Sequence, residues 1–149
     1  MWRMLLGIAL LGLALRPPLA RAQDQCPADD ATTPEDTASV LVGDFLANGE
    51  WDRAYEVLHP EAQLRVPRQV WAAARQAAAI AAPVADVEVF PARTHPGWTW
   101  GITGTSFTDV AEVPVRVTHA TPISTPPRVE IIPLVKVGDC WRWLPQQLP

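Results

Sequence analysis

Up to Pro83 the apolar residues of this chain recur about every 3.6 positions, and beyond it at every second position. A switch of that kind constrains the fold more than any other feature, since the first period belongs to helices and the second to strands. Helices followed by strands imply an α+β layout, with the helices on one face of an antiparallel sheet. Thr33 suits an N-cap, Pro34 the first helical position, and Glu35 and Asp36 the first turn, where a helix N-terminus favours negative charge. Ala38, Leu41, Val42 and Phe45 continue as one stripe, which Asn48 and Gly49 end. A second, short helix is expected from Glu50, with Trp51, Ala54, Tyr55 and Leu58 on its apolar face and His59 and Pro60 closing it. A third begins at Pro67 and carries Val70, Trp71, Ala74 and Ala78 until Ala82 and Pro83 end it. Its many alanines would allow close approach to whatever it packs on.

In the strand half, Ala85, Val87 and Val89 alternate with Asp86 and Glu88, the pattern of a half-buried strand. Trp98, Trp100 and Ile102 are expected to share one face of the next strand. Val113, Val115 and Val117 should share one face of a third, with Pro114 restricting which of its edges can pair. Thr121 to Pro127 reads as a proline-rich loop. The last hairpin runs from Val129 to Val137, turns at Gly138 and Asp139, and returns from Cys140 to Leu144. Glycine first fits a type II′ turn, and Pro133 should bend or bulge the outgoing strand.

Ahead of both halves, residues 1–22 read as a secretory leader: Arg3, an uncharged apolar run from Met4 to Leu15, then Ala20, Arg21 and Ala22 in the A-x-A pattern, with cleavage before Gln23. The run is well short of the roughly 20 residues a membrane span requires, so no stable span is expected after cleavage. Residues 23–32 form a polar, extended lead-in, and residues 33–149 a single domain. A leader implies a periplasmic or extracellular, oxidising address, where the two cysteines, Cys26 and Cys140, are expected to pair. That bond would tie the lead-in to the last strand.

Two stretches narrow the fold. Phe45-Leu46-Ala47-Asn48-Gly49-Glu50-Trp51, continuing through Tyr55 to His59-Pro60-Glu61, resembles the helix, glycine-acid turn and aromatic-bearing second helix of small exported proteins of the nuclear transport factor two-like, cone-shaped superfamily. Val135-Lys136-Val137-Gly138-Asp139-Cys140-Trp141-Arg142-Trp143 resembles that group's final hairpin. The resemblance implies three N-terminal helices packed on a curved antiparallel sheet of four to five strands, with a hollow between the layers. Its members include isomerases, dehydratases and polyketide cyclases that use an Asp, His or Tyr in the hollow, alongside many with no known reaction.

Chemistry is sparse. Proton abstraction beside a carbonyl needs a tuned base opposite an oxyanion donor, and the available groups are Asp44, Asp52, Tyr55, His59, Asp109, Glu112 and His119. No pair of them matches an enzyme motif, so no catalytic position is assigned. His59, His95 and His119 lack metal-ligand spacing, and neither a phosphate loop nor a nucleophile elbow occurs. Neither a metal nor a cofactor is expected. A formal charge of -4, with Lys136 the lone lysine, disfavours nucleic acid as a partner.

Tryptophan is the enriched residue, with seven in the chain, including the i, i+2 pairs Trp98 with Trp100 and Trp141 with Trp143. Such pairs would line the hollow, or form an apolar sheet face suited to a partner or a homodimer. The function expected is an exported, non-enzymatic module that binds a small apolar ligand or a protein partner, with Tyr55, Trp71, Trp98, Trp100 and His119 as pocket candidates. Its rivals are a cofactor-free isomerase, dehydratase or cyclase using the same hollow, and a scaffold domain without ligand.

Overall fold

Thr33 opens the helical half as its pattern requires: its Oγ1 accepts from the Asp36 backbone N–H at 3.1 Å, and α1 spans Pro34–Ser39. The computed structural model describes residues 26–28, 31–120 and 126–149, so the leader, half of the lead-in and most of the proline-rich loop lie outside the described residues. Past Ser39 the helix widens into a π-helical segment, Val40–Leu46, which buries Leu41, Val42 and Phe45. Stretches of π-helix are rare and frequently mark functional sites. Asn48 closes this end by donating its side-chain amide to the Asp44 carbonyl at 2.8 Å. Gly49, at φ +77°, then turns the chain.

Helix α2 is Trp51–Val57 and α4 is Arg68–Ala81, with a single extra turn, α3, at Pro60–Gln63 between them. The sequence reading has no counterpart of α3, although its start is local chemistry: His59 Nδ1 accepts from the Glu61 N–H at 3.2 Å. Val70, expected on the apolar stripe of α4, is instead 50% exposed, and the helix turns Trp71 inward.

The main sheet holds five antiparallel strands, β1 (Val84–Val89), β2 (Arg93–His95), β5 (Val110–His119), β6 (Arg128–Val137) and β7 (Cys140–Trp143). It runs in the order β1-β5-β6-β7, with β2 pairing along the same side of β5 as β1. The sheet curls over the helices, with α1 against β1 and β5 and α2 against β7. Val113, Val115 and Val117 meet Leu41, Phe45, Leu58 and Trp71 in the core, each such side chain contributing roughly 1.5 to 3 kcal/mol through its burial.

The prolines explain how the sheet is cut. β5 is paired on both sides, but the strand beside Pro114 is broken: β1 stops at Val89, opposite Val115, and β2 starts at Arg93, opposite Glu112. The Pro114 carbonyl accepts from Phe90 at 2.9 Å across that gap, and a residue without an N–H cannot continue the ladder there. Pro133 does not bulge β6, whose register with β5 is unbroken from Arg128 to Val135. Its backbone faces the end of β7 instead, where its carbonyl accepts from Leu144.

Two further expectations change. Trp98, Trp100 and Ile102 do not share a strand face: β3 is only Trp98–Thr99, paired with β4 at Ser106–Phe107, while residues 101–103 form a turn. On β1, a register shift between Val84 and Asp86 makes Ala85 a bulge, so Val84 rather than Ala85 joins Val87 and Val89 on the inner face. The final hairpin has Gly138 at φ +62° and no positive φ at Asp139, as a type II′ turn requires. Cys26 and Cys140 form a disulfide, which ties the N-terminal segment to β7 and fits an oxidising compartment.

Candidate functional site

At one end of the helix–sheet sandwich the two layers part around a cavity of about 200 Å³. Val42 and Leu46 of the π-helical segment and Trp51 of α2 form one wall, and Ala78, Ala79 and Ala82 at the end of α4 form another. The sheet closes it with Val84, Val117 and His119. The alanines on α4 do not bring the layers into close approach here. Their short side chains leave unfilled the volume that leucines would occupy, and a gap lined by apolar atoms results.

The bulge at Ala85 completes that wall by setting Val84 opposite His119. His119 is half-buried, and its Nδ1 lies 2.9 Å from the Ala82 carbonyl. A carbonyl oxygen only accepts, so Nδ1 carries the proton and Nε2 of the neutral ring is left with its lone pair.

One rim of the cavity is charged. Arg75, one turn after Trp71 on α4, lies 4.2 Å from the centroid of the Trp71 ring and 5.3 Å from that of Trp143. Cation–π contacts hold the guanidinium plane, yet none of its N–H groups has a hydrogen-bond or ion-pair partner among the described residues. Burial pulls its pKa below the ordinary arginine value, and the Glu130 carboxylate partly offsets this. A guanidinium nonetheless stays charged in a protein. Glu130 lines the same cavity from β6, where it pairs with Val115.

Of the pocket candidates read from the sequence, His119 lines this cavity and the other four have other duties. Tyr55 is buried, its hydroxyl 2.9 Å from the Val66 carbonyl and 3.1 Å from that of Gln63. Trp71 is fully buried beneath Arg75, edge-to-face with Tyr55 and Trp143. Trp100 is fully buried and donates Nε1–H to the Pro145 carbonyl at 2.8 Å. Trp98 donates to Glu112 Oε1 at 3.0 Å, and the other oxygen of that carboxylate lies 2.9 Å from His95 Nε2. Asp44, Asp52 and Asp109 are exposed.

The sequence reading assigns no site role to Arg75 or Glu130 and gives Trp51 only as a residue of the apolar face of α2. Arg75 had a signal, a cation four residues after Trp71 on a helix whose remaining face is alanine; Glu130 had none, because its direction depends on the register of β6. Among the described residues no group of three or more His, Cys, Asp or Glu side chains is arranged to hold a metal ion. No family model, curated protein or solved structure matches the chain.

Proposed function

We propose that this chain is an exported, non-enzymatic binding module of the cone-shaped, nuclear transport factor two-like kind, which takes a small ligand with an apolar body between its helices and its sheet. The observation that carries the reading is the apolar cavity of about 200 Å³ beside Val42, Ala79 and Val117. An apolar cavity of about 150 Å³ is enough to hold benzene, so the volume suits one ring with a short substituent. The Cys26–Cys140 bond and the leader-like residues 1–22 support the exported address.

A cofactor-free isomerase, dehydratase or cyclase is the second reading, favoured by the fixed tautomer of His119, which frees Nε2 to act as a base. It ranks behind because no carboxylate orients that ring among the described residues. Binding is tested by calorimetric titration of the full chain with 2-phenylethanol, alongside an Ala79→Phe variant whose ring fills the cavity. Saturable binding that Ala79→Phe abolishes without lowering the melting temperature is the expected result. Equal binding by both proteins, or none by either, rejects the reading.

A further inference from the structure

We infer that the ligand of this cavity is a small carboxylic acid, its apolar body lying against the alanines of α4 and its carboxylate taken by Arg75. The inference rests on the reading that the cavity is a ligand site, and deepens it by naming the ligand's head group. Two observations converge. The guanidinium is already oriented by the Trp71 and Trp143 rings at 4.2 and 5.3 Å, so little side-chain entropy remains to be lost when an anion docks. Its donors have no hydrogen-bonding partner among the described residues, although elsewhere in the chain Arg68, Arg116 and Arg142 are each engaged, with Glu56, Glu88 and the Glu56 carbonyl respectively. A planar fork of unpaired N–H groups matches a carboxylate two bonds at a time.

The remaining charges decide the class of acid. Glu130 and His119 line the same cavity as Arg75, so the site sets a carboxylate near the guanidinium. A dianion would meet Glu130 with its second charge, and an amine would have to leave Arg75 bare. A monocarboxylate with an uncharged apolar remainder satisfies the guanidinium and leaves Glu130 at the solvent edge, where it is exposed. Burial disfavours the charged form of Arg75 more than the Glu130 carboxylate favours it, and a bound carboxylate would relieve that cost.

The test titrates the full chain with phenylacetate and with phenylacetamide, which share a ring and a shape and differ in charge. Phenylacetate is expected to bind about tenfold tighter or more, the usual advantage of a charge-assisted bond, and Arg75→Gln to remove that preference by weakening the acid far more than the amide. Equal binding of acid and amide overturns the inference and leaves the cavity as a ligand site. Binding of neither overturns both. A preference that survives in Arg75→Gln also overturns it, by assigning the carboxylate to another group. Because Arg75 packs on two tryptophans, Glu130→Gln gives an independent arm at an exposed position. Removing its repulsion should tighten phenylacetate about two- to fivefold and leave phenylacetamide unchanged, and an unchanged phenylacetate affinity counts against the proposal.

Discussion

His59 is held towards its neutral form, because burial lowers its pKa from the ordinary 6.5 more than Glu61 raises it, and Arg142 lowers it further. The neutral ring is also what the structure uses: Nδ1 accepts from the Glu61 N–H at 3.2 Å, and the ring sits edge-to-face with Phe107 at 5.1 Å. As the pH falls, the unfolded chain takes up the proton before the folded one does. The contribution of His59 is therefore complete above the unfolded pKa, and is lost as the pH falls through the lower folded value. Thermal unfolding from about pH 7.5 down to about pH 5 should show a fall in melting temperature that His59→Asn reduces, since asparagine keeps a capping acceptor that does not titrate. Parallel curves for the two proteins would exclude this role. The place of His59 at the end of a helix was legible, because proline follows it. Its neighbours Phe107 and Arg142 were not, since they reach it from strands far along the chain.

Gly49 shows what an element boundary demands. It ends the first helix at φ +77°, a region that costs an L-residue roughly 1 to 2 kcal/mol. The asparagine–glycine pair makes this end readable from sequence, as threonine–proline does the start. Gly49→Ala should destabilise the protein by about 1 kcal/mol, after allowing for the smaller chain entropy of alanine in the unfolded state. The added methyl would lie 3.4 Å from the Trp51 ring, an ordinary contact, so strain rather than collision sets the cost. Denaturant midpoints of the two proteins check it, and an unchanged midpoint would mean that the turn adapts. The features that shape the cavity gave no such signal. Residues 40–46 keep the apolar spacing of an ordinary helix while winding as a π-helix, and Ala85 looks like one more alternating strand residue until the pairing of Val84 with His119 makes it a bulge. Trp98 and Trp100 have strand spacing, but Gly101 and Gly104 bracket a turn that cuts the strand short.

For the molecule as a whole, the change of period at Pro83 made the layering legible, because hydrophobic patterning sets which faces meet. The cavity was not legible, because it is the difference between the volume the layers enclose and the volume that Ala78, Ala79 and Ala82 fill, and that quantity exists only once the layers are assembled. The Cys26–Cys140 bond acts at the same scale. It joins residues 114 apart in sequence and holds in place a segment whose Ala28 packs into the core. In the chain-entropy account, closing a loop of that length restricts the unfolded state by about 4 to 5 kcal/mol, an upper figure because measured bonds more often give about 2 to 4. Reduction, or the paired change Cys26→Ser with Cys140→Ser, should lower unfolding stability by that smaller range. The final hairpin is also paired to β5 through β6 and to the chain at Leu58 through Trp143, so the fold itself should persist. Urea unfolding with and without reductant, followed by tryptophan fluorescence, measures the loss. No shift in midpoint would locate the stability entirely in the helix–sheet core, whereas loss of the native signal in the absence of urea would make the covalent tie a condition of folding.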